Sequence, residues 1–62
     1  MHYADIPLGL GMALTGRPGG MKAFCDLTEE ERWAVIKASE AITSAEEMRQ
    51  YVNRLVEKGL IF

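Results

Sequence analysis

From residue 48 onward the apolar positions of this sequence return at Met48, Tyr51, Val52, Leu55 and Val56, while Glu46, Arg49, Gln50, Asn53 and Glu57 take the remaining positions. Spacings of i, i+3, i+4, i+7 and i+8 lay one oily stripe along a helix and leave a polar face opposite it. Ser44-Ala45-Glu46-Glu47 supplies the start of that helix, because a hydroxyl three residues ahead of a carboxylate lets both side chains satisfy free amides of the first turn. Glu46 and Glu47 near the start, and Arg54 and Lys58 near the end, suit the helix dipole. Gly59 offers the residue best able to leave a helix in the left-handed conformation, with Leu60 placed as the apolar contact of a Schellman-type stop.

The same capping signature occurs sixteen residues earlier, as Thr28-Glu29-Glu30-Glu31, so two consecutive helices are expected, with a break at Ile42-Thr43. Val35, Ile36, Ser39 and Ile42 form the narrower stripe of the first, with Trp33 at its edge. Toward the N-terminus, Gly9 and Gly11 each weaken a helix and Pro7 is tolerated only in its first turn. Leu10, Ala13 and Leu14 nevertheless keep helical spacing, with Asp5 as candidate cap and Gly16 as candidate terminator. Gly9 and Ala13, four residues apart, would make a smooth strip against which another helix lies closely. Arg17-Pro18-Gly19-Gly20 reads as a turn, and Met21, Phe24 and Cys25 as one more short apolar face.

The pattern therefore predicts an all-α fold, a compact orthogonal bundle of four short helices over about residues 6 to 15, 18 to 25, 28 to 41 and 44 to 58, in one domain spanning 1–62. Its expected core is Ile6, Leu10, Leu14, Met21, Phe24, Leu27, Val35, Ile36, Ile42, Met48, Tyr51, Val52, Leu55 and Leu60. No run alternates apolar and polar residues in the manner of a strand.

A chain of 62 residues buries only about 60% of its unfolded surface, so each core side chain matters. One cysteine forms no internal disulfide, and one His with one Cys falls short of a structural zinc site. Packing must hold the fold. An unpaired thiol fits a reducing compartment, which makes the cytoplasm the expected location. A net charge of -2 offers no general attraction to nucleic acid or to anionic lipid.

Candidate chemistry fails in its details. Gly16 to Lys22 has glycines and a lysine, but Met21 intervenes, no Ser or Thr follows and no strand precedes, so it is not a phosphate loop. Gly9-Leu10-Gly11 lacks the third glycine of a dinucleotide fingerprint. Met1 to Asp5 carries an acid and no Lys or Arg, unlike a secretory signal, and the apolar run from Ile6 to Leu14 is too short to span a bilayer. Cys25 beside Asp26 is read as a small buried core residue, and His2 has no triad partner.

No catalytic, cofactor or metal position is therefore assigned, and no small-molecule ligand or membrane association is implied. Trp33, Ile61 and Phe62 are the candidate contact residues for a partner, the last two because apolar residues end the sequence. Two other readings stay open. A DNA-binding helix-turn-helix would place Glu46 and Glu47 against phosphates, and a membrane-active peptide ordinarily carries a basic polar face.

The segments "PLGLGMAL", "MKAFCDLTEEER" and "ITSAEEMRQYV", spread over Ile6 to Leu55, resemble short uncharacterised proteins of anaerobic gut bacteria of the clostridial type. The resemblance implies a free-standing small bacterial protein and carries over no activity, cofactor or site residue. Together these readings give a small, non-enzymatic, cytoplasmic protein acting through contacts with a partner protein or with a second copy of itself, as a homodimer.

Overall fold

Thr28 shows how sequence becomes structure here: its hydroxyl accepts from the Glu31 amide at 3.1 Å, and its own amide donates to Glu31 Oε1 at 2.9 Å. Both halves of the capping box are present, and Glu29, Glu30 and Glu31 fill the first turn with negative charge. The structure, a computed structural model, describes residues 6–59. Within them lie four helices, α1 (Leu8–Gly16), α2 (Gly20–Cys25), α3 (Glu29–Ser39) and α4 (Ala45–Lys58), and no strand. The expected all-α class and element order are found. Replacing Thr28 with alanine is expected to cost about 1 kcal/mol in urea unfolding, since it frees one amide and the reciprocal carboxylate.

Boundaries differ where backbone conformation overrides composition. α1 starts after Pro7, whose backbone is extended and whose carbonyl accepts from Gly11 at 2.9 Å, so Pro7 holds the cap position expected for Asp5. Asp5 itself lies outside the described residues. Gly16 is the last helical residue and not a left-handed terminator; Arg17 ends the helix by turning extended. The positive φ falls instead at Gly19, at 80°, just before α2. α3 closes at Ser39, two residues before its expected end: the Glu40 amide is shared between the Ile36 and Lys37 carbonyls, and Ala41 and Ile42 donate to carbonyls three residues back, which tightens the chain out of the helix.

At α4 the first half of the second capping box forms, Ser44 Oγ accepting from Glu47 N at 3.2 Å. Gly59 has the positive φ anticipated, 81°, but with ψ near -150° it occupies a region essentially reserved for glycine and not the left-handed helical well of a Schellman stop. Leu60, its expected apolar partner, lies outside the described residues.

Nine apolar residues are buried together: Leu10, Leu14, Phe24, Val35, Ile36, Met48, Tyr51, Val52 and Leu55. All were expected from spacing, and Ile6, Met21, Leu27 and Ile42 pack partly buried against them. α1, α2 and α4 pack on one another, and α3 closes the core through Val35 and Ile36. A radius of gyration of 10.1 Å is that of a close-packed chain of this size. Buried Ser39 donates to Ile36 O at 2.7 Å and so satisfies its hydroxyl within its own helix.

Cys25 departs from its expected place. It is exposed, because in a six-residue helix the inward direction is taken by Phe24 and the next residue rotates about 100° away. Arg32 caps that short helix from outside, donating to the carbonyls of Leu27 at 2.6 Å and Cys25 at 3.3 Å.

Tyr51 carries the one buried side-chain polar atom without a hydrogen-bond partner among the described residues, its hydroxyl. Burial pushes this hydroxyl above the ordinary tyrosine range, against a smaller opposing pull from Arg54. The folded state then holds the phenolic proton more tightly than the unfolded chain does. That contribution is complete below the unfolded pKa, about 10, and is lost as pH rises through the folded value. Tyr51→Phe is expected to be neutral or stabilising by up to about 1 kcal/mol near neutral pH, since it removes an orphaned hydroxyl and keeps the ring. In urea melts above pH 10 the variant should lose less stability than the parent.

Candidate functional site

Gly9, Ala13 and Gly16 stand at i, i+4 and i+7 on α1, so their small side chains follow one line along the helix. Part of the expectation for this strip is met. Met48 of α4 approaches it, its Cε lying 3.9 Å from where a Gly9 Cβ would stand, but no helix lies flush on the strip. What lies between is a groove of about 460 Å³, walled by this face of α1 and by the segment from Ile42 to Asn53. The two walls run in the same sense, since Gly9 faces Met48 while Arg17, at the other end, reaches Asn53 and Glu57. A large side chain at any of the three small positions would occupy this space.

The polar margin of the groove is basic. Arg17 Nη1 donates to Asn53 Oδ1 at 2.9 Å, and its Nη2 stands 3.8 Å from Glu57 Oε2, a loose and half-exposed approach. Arg49, also lining the groove, has no partner among the described residues. Asn53, which holds Arg17, follows Arg49 by one helical turn, so both cations border the groove from the same face of α4. No Asp or Glu lines the groove, although the chain as a whole carries net charge -2. Met12, 65% exposed, stands at its mouth.

Trp33 is 45% exposed on α3, consistent with an edge position, and α3 contributes nothing to the groove. The structure thus does not join Trp33 to the basic groove. Ile61 and Phe62, the other two candidate contact residues, lie outside the described residues, as does His2. The groove itself was not anticipated as a site; the signal available in the sequence was the small-residue spacing of Gly9, Ala13 and Gly16, which reads equally well as a buried helix contact.

Among the described residues no group of three or more His, Cys, Asp or Glu side chains converges as a metal site would require, and no helix is long and apolar enough to cross a membrane. Lys22 and Asp26 form an exposed i,i+4 pair at 2.9 Å; the hydrogen bond and charge of Asp26 raise the Lys22 pKa above its ordinary value. Such a pair belongs to the helix surface. Glu46 and Glu47 are both exposed at the N-terminus of α4, the end a recognition helix would turn toward base edges. No family model, curated protein or solved structure matches this chain.

Proposed function

We propose that this is a small, non-enzymatic cytoplasmic protein that acts through contacts with another protein chain. The observation that carries the reading is the apolar surface left over once the core is complete: Leu8 is 79% exposed and Met12 65%, both on α1, with Trp33 a third large exposed apolar residue on α3. Leu8 and Met12 are four residues apart on α1, so their side chains adjoin on one face of that helix, and adjoining exposed apolar side chains, unlike scattered single ones, point to a contact surface. Trp33 remains a candidate contact residue, since tryptophan is enriched among the residues that anchor interfaces and this one is 45% exposed. The cytoplasmic assignment rests on the single unpaired thiol.

Photo-cross-linking in living cells tests the proposal. A photoreactive residue replacing Leu8, Met12 or Trp33, one position at a time in the full chain, should give a discrete protein adduct from at least one position, either with a partner or with a second copy. Absence of any adduct at all three positions, together with sedimentation as a single chain, would contradict it.

A further inference from the structure

We propose that the α1–α4 groove is the docking site for an amphipathic helix of a partner protein, one that carries a carboxylate beside its apolar ridge to meet Arg49. This rests on the contact reading above and adds the place and the chemistry of the contact. Gly9 and Ala13 hold the α1 wall back, which lets another helix approach closely, and Met12 and Met48 give that wall and floor a deformable apolar lining. Helix-in-groove recognition uses an apolar face seated in a groove of this kind.

Charge selects the occupant. Arg49 is unpaired among the described residues and can take a carboxylate, whereas Arg17 is already held by Asn53, by the Pro18 carbonyl and, at 3.8 Å, by Glu57. A basic lining without a carboxylate, on a chain of net negative charge, disfavours a basic helix in the same place.

A displayed library of amphipathic helices about four turns long, with a fixed Leu/Ala ridge and randomised flanking positions, should be selected against the intact chain. The expected binders carry Asp or Glu beside the ridge, and lose affinity at least about tenfold against R49E. Replacing those carboxylates with lysine should restore binding to R49E. Gly9→Leu keeps the helix and fills the groove from an exposed position, and should abolish binding while the thermal transition is retained. Recovery of no binder, of binders without acidic preference, or of binders indifferent to G9L overturns the proposal. Self-association abolished by G9L would assign the groove to a second copy and overturn it as well. Discrete adducts formed in cells by a chain against which no acidic helix is selected would leave the contact reading standing while removing the groove from it.

Discussion

Gly20→Ala is expected to remove most of the stability of this protein. Gly20 is buried at the first position of α2, where a Cβ would run into the Leu14 carbonyl oxygen, with Leu14 C and Cα each only 3.2 Å away. Backbone cannot turn aside as a side-chain tip does, so α1 and α2 must separate. Overpacking of this kind typically costs about 1–3 kcal/mol and exceeds that range when backbone is the obstacle. A chain of 62 residues has only roughly 3–9 kcal/mol in total, at about 0.05–0.15 kcal/mol per residue. Gly9→Ala supplies the contrast: its Cβ meets Met48 Cε at an ordinary 3.9 Å, and the gain in helix propensity should leave it neutral or stabilised by up to about 1 kcal/mol. Urea denaturation of the two variants, followed by circular dichroism, checks both signs. A Gly20→Ala protein as stable as its parent would mean that α1 and α2 do not meet at Leu14.

Phe24→Ala is expected to be nearly as severe. Phe24 is among the largest fully buried side chains and is the only large side chain that α2 buries completely. Its truncation should cost about 3–5 kcal/mol through lost burial and the cavity left behind. A six-residue helix has no stability of its own, so losing its anchor should release α2 as a unit and broaden the unfolding transition. Cys25→Ala, one residue further along, should change stability by no more than about 0.5 kcal/mol, because that side chain faces water. Differential scanning calorimetry separates the two outcomes. Equal effects at positions 24 and 25 would show that the register of α2 is wrong.

These contrasts mark where the sequence was informative. α4 was legible because its stripe of Met48, Tyr51, Val52 and Leu55 has one period and its ends have caps, each pointing to the same helix. The start of α3 was legible for the same reason, through Thr28 and Glu31. Gly20 was not, since glycine in a Pro-Gly turn is expected for its conformation, and its other role depends on where α1 crosses α2. Cys25 and Phe24 shared an apolar face too short for its direction to be resolved by spacing.

The groove depended on pairings that no local pattern contains. Arg17 meets Asn53 thirty-six residues away, and both read as surface or turn residues taken separately. Gly9 and Ala13 announced a smooth helix face, but whether such a face is covered is decided by how far α4 stands from α1. Local chemistry fixed the elements; the distances between them fixed the candidate site.

The core is completed within one chain, with the α1–α4 groove left over as surface. Thermal unfolding of the full chain in plain buffer, followed by far-ultraviolet circular dichroism over a hundredfold range of protein concentration, tests this directly. The expected result is a helical spectrum lost in one cooperative transition with a midpoint that does not move with concentration. A spectrum without helix until lipid is added, or a midpoint that climbs steadily with concentration, would contradict it.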